Sequence, residues 1–242
     1  MAWVERLCSQ WLEGFRRKQG LGFDTSSTAS AALLWVLVPG QRILLHVGCG
    51  GSTKQQAAPA FRGDDWREIR LDMDAAVVPD IVASMTDMAM VPNSAVDAIY
   101  SSHNIEHLYP HEVPTAFAEF YRVLKPEGFL VLACPDLKSI CDLVANDKLD
   151  VPAYHTANGE PIAPMDVLFG HRASMAQGNL FMAHRCGFTQ RTLMEAARQS
   201  GFKIGHSLQR PKTFDLWLLA FKSEVPVDQL IEQVRVFLPV QD

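Results

Sequence analysis

Two periodicities alternate along the chain. Short, nearly continuous apolar runs at 42–47 (RILLHV), 129–134 (FLVLAC) and 215–222 (DLWLLAFK) read as strands buried on both faces. Runs at 67–71 (ending at Asp72), 81–83, 95–101 and 202–208 complete seven predicted strands. Between them the period lengthens to that of a helix. Residues 112–124 carry the stripe Val113, Phe117, Phe120, Tyr121 and Leu124, with Pro114 in the first turn and the stop signal Lys125-Pro126-Glu127-Gly128 behind it. Asp136 caps a predicted helix running to about Leu149, and Thr189 caps another that Gly201 ends. Pro226 opens a last helix with Leu230, Ile231, Val234, Phe237 and Leu238 on one face. Upstream, Trp3, Val4, Leu7, Trp11, Leu12 and Phe15 share a helical face over 3–15, and 29–38 reads as a second helix, giving an N-terminal helical extension over 1–40.

Strands that alternate with helices predict a mostly parallel sheet covered on both faces. The last two strands are joined too tightly for a helical crossover, so they should pair antiparallel at one edge. Residues 150–188 break the pattern. Pro152, Pro161 and Pro164 interrupt any period, yet Val167, Leu168, Phe169, Leu180, Phe181 and Met182 argue for order. The segment reads as an excursion inserted into a single domain spanning 1–242, on the substrate side.

Composition narrows the function. With 242 residues, 48% of them apolar, the chain can bury a full core. Its net charge of −5 argues against nucleic acid as a partner. The five cysteines are odd in number and form no C-x-x-C pair, which points to neither a disulfide framework nor a cysteine zinc site. No apolar run approaches the roughly 18 residues of a membrane span. Glu5, Arg6 and Glu13 interrupt any signal-peptide core. The expected location is the cytoplasm.

The turn Gly48-Cys49-Gly50-Gly51 follows the first strand, where a missing Cβ lets backbone approach a ligand. Asp72 ends the second strand 24 residues after Gly48, near the spacing at which an acid reaches ribose hydroxyls. An adenosine-type ligand is favoured. A dinucleotide fingerprint needs glycine where this chain has Thr53, and the first crossover is poor in helix, which disfavours an NAD(P)-dependent oxidoreductase.

LLHVGCGGS, RLDMD, AVDAIYSSHNIEHL, EFYRVLKPEGFLVLACPDL and a later GFT…LMEAARQSGF together resemble the class I S-adenosylmethionine-dependent methyltransferases, most closely the bacterial methyltransferase type 11 group. The resemblance implies a Rossmann-like, doubly wound α/β fold with a seven-stranded sheet of order 3-2-1-4-5-7-6, strand 7 antiparallel. It implies S-adenosylmethionine as cofactor, with S-adenosylhomocysteine as product. Residue by residue, Gly48, Cys49 and Gly50 pass under the methionine part, Asp72 takes the ribose hydroxyls, and Met73 packs on the adenine. Ser84, Met85 and Thr86 lie on the adenine's other side, while Ser101, Ser102 and His103 approach the methionine and the transferable methyl. His46 stands where relatives commonly carry an acid that orders the turn, and Ser84 where they commonly carry an acid near the adenine.

His103-Asn104-Ile105-Glu106-His107 also spells H-x-x-E-H, which on a helix would place two histidines on one face as zinc ligands with Glu106 as base. The segment directly follows a strand, and Pro110 lies three residues past it, so no metal is expected. His103 and His184 are the candidate catalytic groups, because histidine accepts a proton near neutral pH. Arg172 and Arg185, with His184, are candidates for holding an acceptor, since a guanidinium matches a carboxylate or phosphate. The reading is methyl transfer to a small-molecule acceptor by in-line displacement. The departures at His46 and Ser84 motivate an alternative, a non-catalytic module that binds the same cofactor.

Overall fold

A computed structural model describes residues 34–35, 38–156 and 158–239. The chain divides at Pro39 into two compact units, and every described element belongs to the second, 40–242. The helix expected at 3–15 and most of that expected at 29–38 lie outside the described residues; Leu34 and Trp35 stand in a turn.

Seven strands form one sheet: β1 (Arg42–Val47), β2 (Trp66–Asp72), β3 (Ile81–Val82), β4 (Val96–Ser102), β5 (Leu124–Pro135), and, after a separate two-stranded hairpin of β6 (Tyr154–His155) and β7 (Pro161–Ile162), β8 (Ile204–Arg210) and β9 (Asp215–Phe221). Their order is β3-β2-β1-β4-β5-β9-β8, with β9 antiparallel to both neighbours and the others parallel. This is the order and polarity the resemblance implied. Register sets up the site: Val47 sits across from Leu71 on one side and Ser101 on the other, so the carboxyl ends of β1, β2 and β4 finish in one row.

Both faces of the sheet are buried, which is why its central strands read as apolar runs. On one face Leu44, Ala98, Val131 and Leu219 meet a cluster that includes Phe61, Trp66, Phe129 and Phe237. No α-helix follows β1. Pro59–Phe61 forms only a 3-10 turn, and the wholly buried Phe61 fills the space instead, with ring centroids 5.1 Å from Trp66 and 4.9 Å from Phe237. Phe237 comes from the C-terminal helix, here α6 (Val227–Phe237). Elsewhere α1 (Val113–Val123) packs against α5 (Gln190–Gln199), burying Phe117, Phe120, Leu193 and Ala197.

Two boundaries differ from expectation. α1 ends at Val123 and β5 begins at once, because Val96 pairs with Leu124 before the register jumps to Ala98 and Phe129. The Lys125–Gly128 bulge is pinned by Lys125 Nζ, 2.8 Å from both Asp97 oxygens. The helix capped by Asp136, α2 (Leu137–Ala145), stops short of Leu149.

The described residues of the 150–188 segment include several short elements. It contains the β6–β7 hairpin, α3 (Pro164–Phe169), α4 (Arg172–Ala176) and a 3-10 turn at Leu180–Met182. Ile162 and Val167 pack on Ile140 of α2. Arg172, expected at the acceptor, is instead a staple. Its Nε and Nη2 donate to the Asp166 carboxylate at 2.6 and 3.0 Å, tying α4 to α3. Burial alone would raise the Asp166 carboxyl; the Arg172 guanidinium and the backbone N–H groups of Ala163 and Arg172 outweigh it and hold it at about 2.

Because Phe61 substitutes for a crossover helix, Phe61→Ala is expected to lower unfolding free energy by about 3–5 kcal/mol. Urea denaturation reads this as a lower midpoint at unchanged slope. A midpoint equal to the parent's would show that the aromatic cluster closes without it.

Candidate active site

The glycine turn leaves β1 in a shape that few side chains allow. Gly48 and Gly50 have φ of +64° and +50°. A Cβ on Gly48 would lie 2.2 Å from Asn104 Cγ, whereas one on Gly50 would meet nothing. The turn is fixed by side chains rather than by a following helix. Asp72 Oδ2 accepts from Gly50 N at 2.8 Å, and its Oδ1 accepts from Asp74 N at 2.9 Å. Arg70 Nη2 donates to Gly50 O at 2.6 Å and Nε to Ser52 O at 3.1 Å, while Nη1 reaches Val78 O at 2.9 Å in the loop after β2. Asn104 Nδ2 donates to Val47 O at 3.1 Å and Ser102 O at 2.9 Å, bridging the ends of β1 and β4. Neither Arg70 nor Asn104 was expected at the site. Their signal in sequence is only position, one near the end of β2 and one just past β4.

Around this turn lies a cavity of about 310 Å³. Gly48, Gly50, Asp72, Met73, Ser84, Met85 and His103 line it, and Asn104, Phe181, Met182 and Arg185 join them. A second cavity, about 220 Å³, shares His103, His107 and Met182 with the first and is lined also by Glu106, Tyr154, Val167 and His184. His46, Cys49 and Ser102 face neither; with Tyr100 and Asn104 they edge a third space of about 230 Å³ behind the turn. His46 Nδ1 lies 2.7 Å from Glu68 Oε1, so the ring is anchored to β2. Burial pushes the Cys49 thiol up to about 11, which suits a packing residue rather than a nucleophile.

Three expected residues, Ser101, Thr86 and Arg172, line none of these three cavities. Ser101 is buried beneath Asn104, whose Nδ2 lies 3.4 Å from its Oγ. Thr86 Oγ1 turns back onto Ser84 Oγ at 2.7 Å, closing a local hydroxyl turn. Arg172 is held by Asp166.

The end of the excursion is stitched to the 3-10 turn Ile105–His107. Glu106 O accepts from Arg185 N at 2.8 Å and Cys186 N at 3.1 Å, and Arg185 Nη1 donates to His107 O at 2.8 Å while its guanidinium lies over Tyr109. His184 is thereby set against His107, ring centroids 4.9 Å apart. His103, with a left-handed φ of +55°, places Nδ1 3.5 Å from Glu106 Oε1. Its partial burial opposes the charged form, but the Glu106 carboxylate outweighs that and raises the imidazole's pKa. His184 is shifted the other way, chiefly by burial.

Alanine at either positive-φ glycine costs about 1–2 kcal/mol for the left-handed backbone. At Gly48 the Asn104 overlap adds to this, so Gly48→Ala is expected to unfold at lower urea than Gly50→Ala. Equal midpoints would mean that Asn104 gives up its two carbonyls at no cost.

Residues 45–132 match a family model described as a methyltransferase domain, Methyltransf_11. No curated protein sequence matches the chain. Among solved structures, one from Listeria monocytogenes assigned as an S-adenosylmethionine-dependent methyltransferase is 13% identical, with 82% of this chain and 100% of that one covered, at a TM-score of 0.51. The citrinin polyketide synthase CMeT domain is 13% identical over 76% of this chain and 47% of that one, also at 0.51. A Burkholderia thailandensis 1,6-didemethyltoxoflavin-N1-methyltransferase, solved with 1,6-didemethyltoxoflavin and S-adenosylhomocysteine, is 14% identical over 92% and 90%, at 0.48. The two structures at 0.51 establish the fold, and the family model marks residues 45–132, which hold the glycine turn and its acidic partner, as similar to a methyltransferase domain.

Proposed function

We propose that the protein transfers the methyl group of S-adenosylmethionine to a small-molecule acceptor by in-line displacement. The observation that carries this reading is the pair of adjoining cavities, the larger built on the glycine turn and Asp72, the smaller bounded by the excursion.

The residues of the larger cavity fit the cofactor's chemistry. Each Asp72 oxygen accepts one backbone N–H, so lone pairs remain on both for ribose hydroxyls. Leu71, Met73, Val77, Ala83 and Met85 offer apolar walls to an adenine. Gly48, Gly50 and Asn104 border the cavity's other end, where the methionine part would lie. When bound, the cofactor supplies an electrophilic methyl carbon; the chain's task is to align an acceptor behind that carbon and keep water out.

His103 borders both cavities, as His107 and Met182 do, and stands where an acceptor would meet the point of transfer. Arg185 lines the larger cavity from the excursion side. His184 borders the smaller one. An acceptor space of about 220 Å³ suits a small molecule, and the chain's net charge of −5 disfavours nucleic acid. Among the described residues no helix is long and apolar enough to cross a membrane.

Asp72→Asn removes a charged acceptor while retaining an oxygen for Gly50 N. Calorimetry with S-adenosylhomocysteine should show a loss of about 1.5–3 kcal/mol, roughly 10- to 150-fold in Kd. An unchanged Kd would remove Asp72 from the ribose. Incubation with labelled methyl donor and a metabolite extract tests transfer itself, and tight binding without transfer to any acceptor would favour a non-catalytic module.

A further inference from the structure

We propose that Glu106, His107 and His184 form a site for one first-row divalent transition-metal ion, with its open face on the smaller cavity. One ligand atom from each residue lies within 4.8 Å of the others.

Glu106 is the reason to look there. Its side chain is 1% exposed, and neither carboxylate oxygen has a hydrogen-bond partner among the described residues. A carboxylate withdrawn from water without donors is costly unless a cation meets it. Each neighbouring imidazole spends Nδ1 on a backbone carbonyl. His107 Nδ1 is 3.1 Å from Ala183 O, and His184 Nδ1 is 2.7 Å from Val167 O. A carbonyl only accepts, so both Nδ1 atoms carry a proton, which leaves Nε2 of each ring as the atom that could bind a metal ion. One ligand atom from each imidazole and one from the buried carboxylate thus lie close enough to share a single cation. An imidazole whose far nitrogen donates to a backbone carbonyl is also the usual support of a metal-ligating histidine.

His103 is the rival counter-charge. Its Nδ1 lies 3.5 Å from Glu106 Oε1, beyond good hydrogen-bond length, and its side chain is 48% exposed. It faces one oxygen only and leaves Oε2 unanswered. The ligand set therefore differs from the H-x-x-E-H reading, in which His103 and His107 share a helical face. Residues 105–107 form a 3-10 turn instead, and His184 arrives from the excursion to take the place of His103.

Two imidazole nitrogens and one carboxylate oxygen suit Zn²⁺, Fe²⁺ or Mn²⁺ better than Mg²⁺ or Ca²⁺, which prefer all-oxygen sites. Three protein ligands leave a coordination position free, and the smaller cavity, lined by Tyr154, Thr156 and Met182, lies on that side. A water or an oxygen of a bound small molecule would fill it. The site does not depend on methyl transfer.

The test uses the full chain stripped with a chelator and titrated with Zn²⁺ by calorimetry. Wild type is expected to bind one equivalent at this site. Losing a supporting partner of a metal ligand typically costs 10–100-fold in affinity, so losing the ligand itself in Glu106→Gln or His184→Ala should cost more than about 100-fold. His103→Gln should bind as wild type does. Because a variant can fail to fold, Co²⁺ added to wild type gives an independent reading: a visible spectrum of nitrogen and oxygen coordination that Zn²⁺ abolishes. Absence of saturable Zn²⁺ binding and of that spectrum in wild type would overturn the site. So would unchanged affinity in both Glu106→Gln and His184→Ala, or loss in His103→Gln with retention in His184→Ala.

Discussion

The whole arrangement depends on how a short piece of backbone, Val47 to Gly50, is held once it leaves the sheet. In many α/β proteins a helix begins right after such a turn and fixes it. Here the next regular element is a three-residue 3-10 turn, so the fixing falls to the N–H groups of Gly48 and Cys49 on Leu71 O and to three side chains. Asp72 takes the N–H of Gly50, Arg70 takes its carbonyl, and Asn104 takes the carbonyl of Val47. Each comes from or follows a neighbouring strand, so the turn inherits the sheet's register. The ionised partners make two of these bonds of the stronger, charge-assisted kind. Asp72 holds Gly50 N with one oxygen and Asp74 N with the other, so its carboxylate is fixed in place at the end of β2.

A second layer of organisation comes from the excursion. It is not draped over the core but hydrogen-bonded into it, at the carbonyls of Glu106 and His107. Its own integrity rests on Asp166, whose carboxylate serves Ala163 N and the Arg172 guanidinium. The chain that closes the smaller cavity is thus fixed at both levels, within itself and to the turn after β4.

The sheet was legible because strands buried on both faces leave a plain mark, a nearly continuous apolar run, seen at β1, β5 and β9, with more broken runs at β2 and β4. The glycines after β1 and the acid that ends β2 then picked out Gly48, Gly50 and Asp72. What remained hidden follows from the same physics. Arg70 and Asn104 bond to backbone, and a side chain that serves carbonyls looks like any other polar residue in a loop. Phe61 could not be told from an ordinary core residue, since nothing local says that it replaces a helix. The start of β5 was misplaced because the Lys125–Gly128 bulge carries helix-stop residues inside a strand. Arg172 looked free in sequence, and its partner Asp166 lies six residues away across a helix boundary. The pairing of His107 with His184 spans 77 positions and depends on the excursion's path, which proline-broken periodicity does not encode.

The two carbonyls that fix the histidine rings, those of Ala183 and Val167, both belong to the excursion. His107 belongs to the core turn, yet the identity of its protonated nitrogen is decided by a residue inserted some 76 positions later. The excursion is therefore more than a wall. By presenting a carbonyl to one nitrogen of a core imidazole, it selects that ring's tautomer, and so whether the opposite nitrogen offers a proton or an electron pair. A different excursion on the same sheet would leave the shape of the turn intact and invert the chemical sense of its histidine.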